Sequence, residues 1–300
     1  MNIIKRYLAA MKAAGKSECT LQTYSGLLNR FNEFLKQEDI NILQVDSNII
    51  AEWVEQSFEG LSNNTMRHYL IILHSFYAWC LRHKLVDENP ILPEDTPCPK
   101  RIEYAELTLE EIRKLLRTDP EGICRGKFLR NRALITLLLL CGLRSDEIRS
   151  LRYNDLDFEK EVITVQHGKG DKFRQVPFPS LARQIMREYI NSMKVTLLDN
   201  FLFGTERKSG NRHKWDKMSS QRLNNIVHSY VYRITGRTDI HTHTLRHAYA
   251  SLCDTLGVPV RTIQKTMGHA SIATTERIYI SVLNRAKAAQ EINSVMNSAV

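Results

Sequence analysis

The sequence predicts a mainly α protein with a small β-hairpin in its second half: an N-terminal four-helix bundle followed by a mixed α+β domain. Three observations carry this expectation. Apolar residues recur at three- and four-residue steps through most of the first 85 positions. Prolines at 90, 93, 97 and 99 then interrupt the helical pattern. Between Glu161 and Pro179 the period shortens to that of a strand. Three hundred residues also exceed what one hydrophobic core usually organises, so two domains are expected.

The bundle reads as follows. Ile3, Ile4, Tyr7, Leu8 and Met11 form one apolar stripe, which Gly15 can stop. Thr20 can cap a second helix carrying Tyr24, Leu27, Leu28, Phe31 and Leu35. A shorter helix lies within Val45 to Phe58, with Ile49, Ile50, Trp53 and Val54 as its buried face. Asn63 or Asn64 can cap the longest helix, with Met66, Tyr69, Leu70, Leu73, Phe76, Tyr77, Cys80 and Leu81 in register. Nothing in this bundle looks catalytic, and its scattered cations fit a solvated face as well as a phosphate-contacting one.

Proline removes backbone donors and pushes its predecessor toward extended geometry, so the stretch around Leu85 to Arg101 reads as an interdomain linker. Beyond it, Thr108 and Glu111 form a capping-box pattern. Leu129 to Cys141 reads as a strongly apolar helix ended by Gly142. Arg144 falls in the following turn, before a helix that Ser145 can cap. Taken alone, this arginine reads first as a surface partner of Asp146 or Glu147. Val162, Ile163 and Val165 begin a hairpin that returns through Phe173-Arg-Gln-Val-Pro-Phe, with Lys169 between two glycines at its tip. That lysine is either a solubilising turn residue or a cation able to swing into a cleft and donate a proton. From Thr242 the helical period returns, with Leu245, Ala248, Tyr249, Leu252 and Leu256 as the buried stripe and Gly257 as its end. Pro259 opens the next helix and Gly268 closes it.

Composition narrows the class. Hydrophobic residues are 43% and charged residues 25%, both near the globular norm, so the composition suggests neither a disordered nor a membrane-embedded chain. The longest apolar run, Ala133 to Cys141, is too short to span a bilayer. The first residues lack a signal-peptide pattern, so a cytoplasmic location is expected. Six cysteines form no CxxC pair and no zinc-type spacing, and Cys80 and Cys141 read as packed free thiols. The net charge of +9 is unevenly placed: residues 1 to 93 hold 9 basic and 10 acidic residues, leaving 33 basic and 23 acidic for 94 to 300. A polyanion such as nucleic acid suits the second part.

The chemistry-bearing residues cluster late in the chain. Gly142-Leu-Arg144-Ser-Asp-Glu147, His243-Thr-Leu-Arg246-His247, Gly268-His269 and Tyr279 together hold the groups needed to break a phosphodiester covalently without a metal ion. His243 and Arg246 share one helix face near its start, where positive groups oppose the helix dipole unless a phosphate binds there. No carboxylate cluster accompanies the histidines, so a metal-dependent nuclease is disfavoured. No metal and no cofactor are expected.

In order, GLRxxEI, the GKGDKFRQVP hairpin, HxLRH, Met267-Gly-His269 and TTxxxY resemble the tyrosine recombinase and phage integrase family, of the Xer-like two-domain type, over nearly the whole chain. The resemblance implies a core-binding domain that clamps DNA at residues 1–93, a linker at 94–106 and a catalytic domain at 107–300. It implies a site-specific recombinase that cuts and rejoins double-stranded DNA through a 3′-phosphotyrosyl bond, needing neither metal nor ATP. Arg144, Arg246 and His243 hold the nonbridging oxygens in that implied scheme, and Tyr279 is the nucleophile. Lys169 is the general acid, with Lys172 as the neighbour that could be mistaken for it, and His269 bonds the attacked phosphate. His241 offers a second histidine, but spacing to Arg246 favours His243. Glu147 matches an acidic family position with an orienting role. His269 and Tyr279 are ten apart, one more than is common in Xer-type members. The amphipathic stretch at 282–300 implies docking into a neighbouring protomer and a tetramer on two DNA sites. A type IB topoisomerase, which has no need of such a tail, and a non-catalytic DNA-binding protein are the alternatives. An Xer-like resolvase and a mobile-element integrase stay open, the lack of an arm-binding domain before residue 1 favouring the former.

Overall fold

The computed structural model of the chain describes residues 2–57, 59–92, 96–98, 105–166, 174–193, 201–209 and 212–268. It forms two compact units that meet in sequence between Glu103 and Tyr104. Among the described residues the first contains four helices: α1 (Ile3–Ala13), α2 (Glu18–Gln37), α3 (Ser47–Ser57) and α4 (Asn63–Arg82). Their apolar stripes converge on an aromatic core in which Phe31 and Trp53 meet edge to face at 4.8 Å between ring centres, both fully buried. The buried Tyr77 hydroxyl donates to the Ile42 carbonyl at 2.9 Å, so even the polar atom at the centre is satisfied.

Two helix starts differ from expectation. Ser17, not Thr20, caps α2, its Oγ accepting the Thr20 backbone N–H at 3.2 Å. Ser62, not Asn63 or Asn64, caps α4 by accepting from Thr65. In each case the hydroxyl three residues before the accepted N–H holds the extended backbone that a cap requires.

The second unit is built around α6 (Arg125–Leu140), whose Leu134, Ile135, Leu137, Leu138 and Leu139 are all fully buried. A helix apolar on every side needs neighbours on every side. These are α5 (Leu109–Arg117), α8 (Ser180–Asn191), α9 (Ser220–Thr235) and α10 (Thr242–Thr255). The Thr108–Glu111 capping box opens α5. Helix α6 starts a turn before Leu129, at Arg125. Short α7 (Ser145–Ser150) follows it, with Arg144 rather than Ser145 in the cap position.

A three-stranded antiparallel sheet follows, in the order β1 (Leu156–Asp157), β2 (Val162–Val165), β3 (Arg174–Pro177). Ile163 lies opposite Val176, and both are fully buried. A second hairpin, β4 (Thr205–Ser209) and β5 (Arg212–Asp216), and the helices α8 and α9 have no counterpart in the sequence reading. Helix α11 (Val260–Met267) ends at Gly268, in the left-handed region. On α10, Leu245, Ala248 and Tyr249 are buried as expected, but Leu256 is 72% exposed because the helix stops at Thr255.

Candidate active site

Four local devices bring the site together. Gly142 leaves α6 at φ +60, a conformation that costs a residue with a Cβ. The turn delivers Arg144 to the start of α7. Arg246 and His243 project from the first turns of α10, and α11 ends beside them in three carbonyls that no further helical turn can satisfy. Those carbonyls form the negative end of the helix dipole, and cations are stabilised there.

The cations take them in turn. Arg174 donates from Nε to the Thr266 carbonyl at 2.9 Å. Arg246 donates to the Met267 carbonyl, and also to the Gly142 carbonyl. Arg144 donates to the Gly268 carbonyl. Gly268 makes the approach sterically feasible, since a Cβ there would lie 3.2 Å from atoms of both Arg144 and Arg174.

Glu147 sits beneath them, 5% exposed. Its Oε2 accepts the Arg144 backbone N–H at 2.8 Å and Arg174 Nη2 at 2.8 Å. Its Oε1 accepts Arg144 Nη1 at 2.9 Å and Arg174 Nη1 at 2.7 Å. Burial alone would raise this carboxyl's pKa. Hydrogen bonds from Arg174 and from the Arg144 backbone outweigh it and hold Glu147 below its usual value, ionised at neutral pH.

Arg246 is nearly inaccessible, and burial, then Arg144, pulls it down to about 9 against the opposing pull of Glu147. It is cationic at neutral pH even so. His243 keeps an exposed face, yet partial burial of its ring, with Arg246 and Arg144 nearby, lowers its pKa. It is therefore set up as a neutral donor rather than a further cation. His247, one turn along α10, is driven down to about 4 by burial, then by His243 and Arg246.

Arg144, His243 and Arg246 thus lie in one electrostatic neighbourhood with Glu147. Lys169, Lys172, His269 and Tyr279 lie outside the described residues, as do 282–300. His241 holds the cap position of α10, its ring stacked near His228 at 6.2 Å. Arg174 was not singled out from sequence. The signal was parity: it shares a strand face with fully buried Val176 and pairs in register with buried Val165, so it belongs to the inward side of β3. Among the described residues no group of three or more His, Cys, Asp or Glu could hold a metal ion, and no helix is long and apolar enough to cross a membrane.

Residues 105–285 match the phage integrase family, and residues 4–84 match the N-terminal SAM-like domain of phage integrases. The chain belongs to the phage integrase family. It is 29% identical over 276 residues to the tyrosine recombinase XerC of Bacillus subtilis (strain 168), covering 89% of this chain and 86% of that one. To the XerC of Staphylococcus aureus (strain JH9) it is 28% identical over 291 residues, 92% and 94% of the two chains. Among solved structures it resembles the XerH site-specific recombinase bound to palindromic difH substrate, with a TM-score of 0.73 at 21% identity over 95% of this chain and 82% of that one. The Tn1549 transposon integrase in complex with transposon right end DNA gives 0.70 at 20% identity, covering 95% and 98%. At such identities the structural likeness establishes the integrase fold.

Proposed function

We propose that this integrase-family chain is a site-specific DNA recombinase that cuts and rejoins double-stranded DNA through Tyr279, working in the cytoplasm on the nucleoid. The observation that supports it best is the convergence of Arg144, Arg246 and His243 beside one buried carboxylate, in a chain whose relatives are tyrosine recombinases. Two guanidiniums and a neutral imidazole donor are suited to the nonbridging oxygens of a phosphodiester under attack.

In this reading the Tyr279 oxygen attacks phosphorus and the bond to the 5′-oxygen breaks. Lys169 gives the departing 5′-oxygen its proton. His269 bonds the attacked phosphate and takes the tyrosine proton. The 3′-phosphotyrosyl bond keeps the ester energy, and attack by an incoming 5′-hydroxyl reverses each proton transfer and restores Tyr279. No step calls for a metal ion or for ATP. Residues 1–93 clamp the duplex, 94–106 link, 107–300 catalyse, and 282–300 dock into a neighbouring copy so that four copies act on two sites.

Suicide substrates nicked near candidate sites of the source genome provide the test. The wild-type protein is expected to yield a covalent DNA adduct on a denaturing gel, and Tyr279→Phe to yield none. An adduct that persists in Tyr279→Phe removes the assignment.

A further inference from the structure

We infer that Arg174 is a positioning residue of this site, whose task is to occupy Glu147 so that Arg144 remains available to the phosphate. The inference rests on the recombinase reading above for its reaction, but its geometry stands by itself.

Glu147 is a buried carboxylate with two arginines in reach. Arg174 takes it in a fork, Nη1 on Oε1 at 2.7 Å and Nη2 on Oε2 at 2.8 Å. Arg144 gives the same carboxylate only one side-chain bond, Nη1 on Oε1 at 2.9 Å. Its Nη2 goes instead to the Gly268 carbonyl, beside the end of α11. A forked guanidinium–carboxylate pair is the stronger arrangement, so whichever arginine holds the fork is the one committed to structure. Here that is Arg174. All three of its nitrogens have protein acceptors, the third being the Thr266 carbonyl.

The charges agree. Arg144, Arg174 and Arg246 against Glu147 leave three positive charges and one negative, a net of +2. With Arg174 replaced by a neutral residue, Glu147 keeps only the Arg144 backbone N–H and one Arg144 side-chain bond, and leaving a buried charge under-paired is costly. Arg144 is expected to rotate into the fork, release Gly268 and withdraw its donors from the phosphate. Arg174 therefore affects the reaction without touching DNA. Its place in β3, in register with Val165 of β2, ties that commitment to the strand pair.

The decisive experiment uses Arg174→Gln, Arg174→Lys, Glu147→Gln and the double variant Glu147→Gln/Arg174→Gln in the full chain, each checked for a cooperative thermal transition. Two measurements are made: single-turnover adduct formation on the suicide substrate, and the crystal structure of Arg174→Gln. Arg174→Gln is expected to slow adduct formation by about 10- to 100-fold, the scale on which partners that orient metal-ligating side chains act, with little change in DNA affinity. Arg174→Lys keeps the charge but not the fork and is expected to fall between. In the double variant the neutral amide no longer captures Arg144, so its rate should exceed that of Arg174→Gln. A double variant no faster than Arg174→Gln, or Arg174→Gln cleaving like wild type, overturns the inference. So does a large loss of DNA affinity in Arg174→Gln, which would make Arg174 a phosphate ligand. If wild type forms no adduct, the recombinase reading fails, and the crystal structure alone judges the inference: Arg144 forked on Glu147 supports it, Arg144 still on Gly268 overturns it. If Arg174→Gln does not fold, the lysine variant and its comparison with Glu147→Gln/Arg174→Lys give the same decision.

Discussion

At the scale of single residues the site is a contest for protons and lone pairs, and the histidines of α10 show which way it runs. Burial, His243 and Arg246 bring His247 down to about 4, while burial, Arg246 and Arg144 lower His243. An unfolded histidine titrates near about 6.5, so both rings bind fewer protons folded than unfolded. Their contribution to stability is complete above about pH 6.5 and is lost as pH falls toward the folded values. Glu147, with its pKa below the ordinary carboxylate value, adds its own loss only at lower pH. The thermal midpoint is expected to drop between about pH 7 and pH 5, and to drop less in His247→Gln; equal slopes in the two proteins would refute the role of His247. The residues that hold this network were unevenly legible. Arg144, His243 and Arg246 stand in spaced motifs, and a motif is visible in one dimension. Arg174 acts through a fork to a carboxylate 27 positions upstream and a carbonyl 92 positions downstream, and no local pattern marks such partners. Only its parity with Val176 on β3 hinted that an arginine was facing inward.

At the scale of elements the governing contact is the approach of α6 to α10. Gly142 ends α6 so close to α10 that a Cβ would sit 2.4 Å from the Tyr249 ring, and its carbonyl accepts from Arg246 of the same helix. Gly236, at the end of α9, has a similar positive φ of 73 but nothing within 4 Å of its would-be Cβ. The pair separates backbone strain from steric clash. Gly236→Ala is expected to cost about 1 kcal/mol, the left-handed penalty alone. Gly142→Ala adds overpacking of about 1–3 kcal/mol and is expected to lower the thermal midpoint by about 5–15 °C, with adduct formation impaired as Arg246 shifts. Equal losses at the two glycines would mean that the close approach does not matter. Sequence located Gly142 as a helix stop because glycine in that role is a local feature. It did not locate α8, α9 or the β4–β5 hairpin, whose stretches carry proline or glycine punctuation at one end only: Pro179 before α8, Gly236 after α9 and Gly204 before β4. The caps Ser17 and Ser62 were missed because Ser and Thr or Asn lie within three residues of each other, and the backbone conformation decides between them. Leu256 was assigned to a buried stripe by period alone; the stripe outlasts the helix.

At the scale of the whole molecule the legible features were those that sum over many residues. The small sheet rests on two short strand-like runs, whose change of period is itself distinctive, but mainly helical architecture rests on dozens of side chains, so an error at any one position changes little. The uneven charge is of the same kind: residues 94–300 carry 33 basic and 23 acidic residues, whereas 1–93 are nearly balanced. A unit with that surplus suits a polyanion, whereas the proposed assembly of copies would rest on another feature, the amphipathic stretch from Val282 to Met296. Ile292, Val295 and Met296 recur there at three- and one-residue steps among Asn284, Arg285, Lys287, Gln290 and Glu291, as on a helix that is apolar on one side. If that side docks into a neighbouring copy, its removal separates binding from exchange. A chain ending at Val282 is expected to bind one recombination site with the affinity of a single copy, to fail to pair two sites in a native gel, and to lose recombination by on the order of 100-fold, the scale of an avidity contribution. Paired complexes and recombinant product at wild-type levels from the shortened chain would show that the tail packs on its own subunit and that the four-copy assembly is held elsewhere.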